Sequence, residues 1–131
     1  MNDDTRTDIL GNVELARETL AEMRGAVERG RYRIGVSHLY YACFYYLRAL
    51  LLTKGAAYQS HKGVIVGFNL FFVKEGLAPR DMGAFLRKLG DDRQEADYRF
   101  GKYKREDVEA RIKKADAFIV FAEGYLEEAL K

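Results

Sequence analysis

Tryptophan is absent from this chain, and its 131 residues hold one proline, Pro79, and one cysteine, Cys43. A lone cysteine cannot close an intramolecular disulfide, so the fold must rest on packing, and a reducing, cytoplasmic location is the expectation. Scarce proline beside abundant Ala, Leu, Glu, Lys and Arg suits helices far better than strands. Charge of one sign is lacking too: 22 basic and 20 acidic side chains leave a formal net charge of +2. That balance does not announce nucleic-acid binding, and any basic patch must be local. The start, Met1-Asn2-Asp3-Asp4, is acidic and polar where an export signal is basic and then apolar, so export is not expected. No metal-ligand cluster, glycine-rich phosphate loop or serine-nucleophile motif occurs, which gives metal and cofactor chemistry no support. With no repeat, low-complexity tract or linker, residues 1–131 read as one domain around one core.

What is present is helical periodicity. From about Thr5 to Arg29, Ile9, Val13, Ala16, Leu20, Met23 and Val27 recur at steps of four and three, one stripe of an amphipathic helix. Thr5 is placed to cap its start and Gly30 to end it. From about Asp107, Val108, Ile112, Ala115, Ile119, Ala122, Leu126 and Ala129 repeat the logic to the end of the chain. Both stripes average 3.5 residues, the spacing of helices packed at a small crossing angle. Between Ile34 and Thr53 the chain is apolar on nearly every side. Its length approaches the roughly 20 residues of a membrane span, but Gly35, Ser37, His38, Arg48 and four tyrosines argue for a central bundle helix instead. Two shorter helices are expected, one after Ser60-His61 running towards Gly76, the other from about Pro79-Arg80-Asp81. The pattern leaves open whether the latter passes through Gly90 to Tyr98. The fold class is all-α, an up-and-down bundle of four or five helices.

The ordered set Tyr40-Tyr41-Ala42-Cys43-Phe44, Arg48-Ala49-Leu50-Leu51, Ser60-His61-Lys62-Gly63 and Arg93-Gln94-Glu95-Ala96-Asp97-Tyr98 resembles the pattern of HEPN-domain proteins, in particular the short single-domain members of bacteria and archaea. The resemblance implies a helical homodimer, often encoded beside a minimal nucleotidyltransferase. Many members of that family are metal-independent endoribonucleases, several of them toxins of toxin–antitoxin pairs in which the nucleotidyltransferase is the antitoxin. The family signature is an arginine followed after four to six residues by a histidine. Here Arg93 is the arginine, and Tyr98, Arg99 and Phe100 stand where the histidine would fall.

Arg93 carries a permanent charge on a planar fork of donors, suited to clamping a phosphate and stabilising charge that builds on phosphorus. The plainer reading is a surface ion pair with Asp97, four residues on, contributing about 0.3 to 0.5 kcal/mol. Metal-free RNA cleavage needs a base for the 2′-hydroxyl proton, and histidine, with an ordinary pKa of about 6.5, suits the task where tyrosine, near 10, does not. Tyr98 can orient a phosphate, but the base must be sought in His61 or His38. His61 lies at an expected helix start in a Ser-His-Lys-Gly stretch able to receive an anion, or is an ordinary surface histidine. His38 shares a stripe with Tyr41, Tyr45 and Arg48 that has an apolar body and polar tips, as a subunit interface has; as a core histidine it would instead hydrogen-bond within the bundle. From Tyr98 to Arg105, Arg99, Lys102, Lys104 and Arg105 alternate with Phe100 and Tyr103 and no acid intervenes. Such a mixture holds single-stranded RNA, cations on phosphates and rings on bases, or is simply a solvated connection between helices.

Three functions compete: an RNA-directed toxin with a nucleotidyltransferase partner, a non-catalytic module that binds a nucleotide or a protein, and a purely structural dimer subunit. All three share one expectation, because a central helix apolar on every side asks for more cover than one small bundle supplies. Light scattering of the dilute chain should give twice the monomer mass. A monomer would remove the interface reading of His38, Tyr41, Tyr45 and Arg48.

Overall fold

The computed structural model describes residues 1–98 and 102–131, the Tyr98 side chain excepted. The described residues form five α-helices: α1 (Asp3–Glu28), α2 (Tyr32–Leu52), α3 (His61–Phe68), α4 (Arg80–Tyr98) and α5 (Arg105–Ala129). A π-helical turn, Asn69–Val73, continues α3 where the sequence pattern predicts one uninterrupted helix. Helix α1 starts two residues earlier than expected, because the Asn2 side chain, not Thr5, is the cap: its oxygen accepts the Thr5 N–H at 2.8 Å. Gly30 (φ +75°) and Gly76 (φ +79°) sit in left-handed backbone just past the ends of α1 and the π turn, where a side chain would be strained. Helix α4 passes through Gly90 without a break.

The apolar run is α2, and all four other helices pack on it. Its buried side chains include Leu39, Tyr40, Cys43, Tyr46, Leu47, Leu50 and Leu51. They meet Ile9, Ala16, Leu20 and Met23 of α1 and Val108, Ala115, Phe118 and Ala122 of α5, the two stripes legible in the sequence. No described helix is long and apolar enough to cross a membrane.

One polar network ties three helices together. The Arg17 guanidinium (α1) grips both Glu123 oxygens (α5) at 2.9 and 2.7 Å, and the Tyr46 hydroxyl (α2) donates to Glu123 Oε1 at 2.6 Å. These donors hold the Glu123 carboxyl below its ordinary pKa, the bidentate Arg17 contact foremost.

Leu47 is fully buried at the centre of α2. Leu47→Ala should destabilise the fold by about 2 to 5 kcal/mol, the range for deleting a packed leucine, while Glu22→Ala, on the exposed face of α1, should shift a chemical-denaturation midpoint little. The reverse order would contradict the burial of α2.

Candidate functional site

Helix α4 carries Arg93 not on the surface but into the bundle, where the residue is only 5% exposed. Its guanidinium carbon lies 5.3 Å from the centre of the Tyr40 ring and 5.7 Å from that of Tyr41, and its Nη1 is 3.6 Å from Asp97 Oδ2. A cation withdrawn from water in this way needs ring faces and a nearby carboxylate to offset lost hydration. The expectation of a solvated surface pair is therefore corrected, since the i,i+4 pairing exists but within an aromatic wall. Gly90 leaves room for the Tyr40 ring, since a Cβ there would stand 3.2 Å from Tyr40 Cε1.

His61 opens α3, whose first turn is fixed by the Ser60 hydroxyl accepting the Gly63 N–H at 2.9 Å. The imidazole packs against Phe44, Tyr40 and Tyr41 with ring centres 4.7, 5.4 and 5.8 Å apart. Its Nδ1 lies 2.9 Å from the Tyr40 hydroxyl. Burial, and then the Arg93 cation, lower the His61 pKa below 6.5, with Asp97 opposing. Burial pushes the Tyr40 hydroxyl up to about 12, so it stays protonated at neutral pH. Tyr40 thus orients His61 without exchanging its own proton. In the tautomer whose Nδ1–H donates to the Tyr40 oxygen, the neutral imidazole has its free lone pair on Nε2, the form able to accept a proton there.

Arg93, His61 and Tyr40 line one cleft of about 430 Å³ between α3 and α4. Lys62 and Arg87 add positive charge, and Asn69 and Gln94 add amides. Sequence reasoning did not select Tyr40 or Arg87. The signal for Arg87 was the spacing of Arg87, Gly90, Asp91 and Gln94, one face of α4. Tyr40 had no such signal, since a tyrosine in an apolar helix reads as core.

The other expected residues lie apart. His38 turns towards α1: its Nδ1 is 2.9 Å from Ile34 O and its Nε2 3.2 Å from Glu22 Oε2. Of its stripe, Tyr41 joins the site, while half-buried Tyr45 packs edge-on against Phe44 and Arg48 sits 5.9 Å over the Phe44 ring. The Tyr98 side chain and Arg99 lie outside the described residues, as does Phe100. Tyr103 is half-buried, its hydroxyl donating to Asp92 O at 3.2 Å and its ring facing the Arg111 guanidinium at 5.1 Å. Lys102 and Lys104 are exposed, and Arg105 pairs with Glu109 at 3.7 Å. Among the described residues no group of three or more His, Cys, Asp or Glu side chains is placed to hold a metal ion.

The HEPN domain model matches residues 12–125, the stretch that contains every element of this cleft. The chain belongs to the HEPN family. Relatives include the "Putative toxin MJ0605" of Methanocaldococcus jannaschii, 36% identical over 99% of this chain and 97% of that protein. A UPF0332 protein of Thermotoga maritima is 34% identical over 86% of each chain. The crystal structure of TT1696 from Thermus thermophilus has the same fold, with a TM-score of 0.76 at 18% identity, covering 88% of this chain and 96% of that one.

The lowered pKa of His61 has a consequence for this HEPN domain. Between the folded and the ordinary value the unfolded chain binds more protons, so the contribution of His61 to stability is complete above pH ~6.5 and declines as pH falls through that window. NMR titration should place the His61 midpoint below 6.5. His61→Gln should flatten this limb of the stability profile, and a midpoint above 6.5 would contradict the burial of the ring.

Proposed function

We propose that this HEPN protein is an RNA-directed toxin that cleaves single-stranded RNA without a metal, with a nucleotidyltransferase as its antitoxin partner. The observation that carries the reading is the meeting of His61 and Arg93 in one cleft, with Tyr40 holding His61 Nδ1 at 2.9 Å. The base missing from the usual spacing after Arg93 is supplied from another helix. His61 Nε2 takes the 2′-hydroxyl proton, and the 2′-oxygen bonds to phosphorus. The bond from phosphorus to the 5′-oxygen breaks, that oxygen takes a proton from water, and the hydroxide so formed is neutralised by the proton that His61 Nε2 gives up. Arg93 stabilises the charge on the non-bridging oxygens, Asp97 keeps the guanidinium in place, and Lys62 at the cleft edge holds a neighbouring phosphate. The relatives that carry toxin names support the biological side of this reading.

The competing reading, a non-catalytic module binding a nucleotide or protein, draws support from the burial of Arg93 among Tyr40, Tyr41 and Asp97. In that case the arginine serves packing. As partner, a nucleotidyltransferase would modify Tyr98, five residues after Arg93, and the added phosphate would oppose RNA binding. Mass spectrometry after co-expression tests that step.

Cleavage of single-stranded RNA in chelator decides between the readings. Because Arg93 is buried, Arg93→Ala also removes packing, so Arg93→Lys, which keeps charge and loses the fork, is the sharper variant. Both should lower cleavage about a hundredfold or more, since removing a transition-state clamp costs several kcal/mol. His61→Ala should do the same with the helical circular dichroism retained, and Tyr98→Phe should remain active. Wild type that never cuts RNA would leave the non-catalytic reading.

A further inference from the structure

Past the last turn of α4 lies a second concave surface. Gly30 (φ +75°) turns the chain from α1 into α2 and brings the α1–α2 turn against the segment that precedes α5. Arg31, Tyr32, Arg33, Lys102 and Tyr103 line an open concavity of about 590 Å³ there. Three of them are exposed cations, and no acidic side chain lines it among the described residues. Arg105 adjoins it, its guanidinium carbon 5.7 Å from the centre of the Tyr32 ring. The two walls are some seventy positions apart in sequence, so neither local charge nor the net balance of the chain reveals them together.

The concavity is tied to the helix that carries Arg93. Arg33 Nη1 donates to Ala96 O at 3.1 Å, in the last turn of α4. Ala96 neighbours Asp97 and stands three residues from Arg93, a rise of about 4.5 Å along the helix axis. The acids near Lys102 and Tyr103, namely Asp92, Glu95 and Asp107, line the adjoining hollow rather than this one, so the concavity itself presents cations to a polyanion. Tyrosine rings between the cations fit nucleotides better than an acidic protein segment, which offers no bases to stack.

We propose that the concavity between the α1–α2 turn and the start of α5 is a docking track for the backbone of single-stranded RNA, with Arg31 and Lys102 on phosphates and Tyr32 beside the bases. It lies outside the cleavage cleft and extends the path of the strand beyond it. The proposal rests on the RNA-directed reading of the chain, but binding can be measured without catalysis.

The test is fluorescence anisotropy with a short labelled oligouridylate, in the His61→Ala background so that the strand stays intact. Arg31→Ala and Lys102→Ala should each reduce the slope of log affinity against log salt by about 0.7, the value for one phosphate contact on a single strand. The double charge reversal Arg31→Glu/Lys102→Glu should weaken binding by at least about a hundredfold, with the circular dichroism of the fold retained. Unchanged affinity in the double variant, or no RNA binding by the background protein, overturns the proposal. So does polyglutamate that competes as well as RNA at equal charge, which would mark the surface as a protein dock. Loss of binding in the double variant together with full cleavage by Arg93→Lys would keep the track and discard the proposed cleavage site.

Discussion

The Tyr40 ring is the surface on which three helices of this protein meet. It grows from α2, takes the Arg93 guanidinium of α4 on its face at 5.3 Å, and holds the His61 imidazole of α3 through its hydroxyl at 2.9 Å. Each contact sets conditions for the others. Burial and the Arg93 cation favour neutral His61, while burial keeps the Tyr40 hydroxyl protonated, its oxygen accepting the Nδ1–H in the tautomer that leaves the Nε2 lone pair free. Replacing Gly90 with a residue that has a Cβ would press on this ring, so the lack of a side chain at Gly90 is part of the geometry of the cleft.

That arrangement needs a rigid platform, which the rest of the bundle supplies. Helix α2 is enclosed by the four others, and two of its partners, α1 and α5, are locked to it by Arg17, Glu123 and Tyr46. Asp92 and Arg111, 2.9 Å apart, tie α4 to α5 near the Tyr103 hydroxyl. The π turn at Asn69–Val73 interrupts the regular hydrogen-bond ladder beside the cleft, a placement common for such turns where a side chain must be re-aimed. Asn69, the first residue of the turn, lines the cleft, and its carboxamide oxygen lies so close to Gly83 that a Cβ there would collide with it.

The chemistry is distributed accordingly. On the proposed reading, a HEPN chain whose arginine lacks a histidine at the family's spacing pairs it with an imidazole delivered by another helix. His38 does not do so, because both its nitrogens face groups of α1 and α2, Glu22 and Ile34. His61 shares the cleft with Arg93, and the same environment lowers its pKa.

By itself the sequence determined the local order: the stripes of α1 and α5, the apolar α2, the glycine stops at Gly30 and Gly76, and the succession of motifs that marks the family. These follow from periodicity and backbone preference, which act between residues a few positions apart. It also pointed to Arg93 and His61 separately, as a charge and a titratable ring with the right chemistry. Only the tertiary structure decided that they share a cleft, that Arg93 is buried rather than solvated, that Tyr40 joins them, and that Arg31 and Arg33 face Lys102. The positions of the Tyr40 and His61 partners differ by 21 residues and those of Arg33 and Ala96 by 63. Contacts over such separations are set by how whole helices pack around α2, a property that no local pattern of residues encodes.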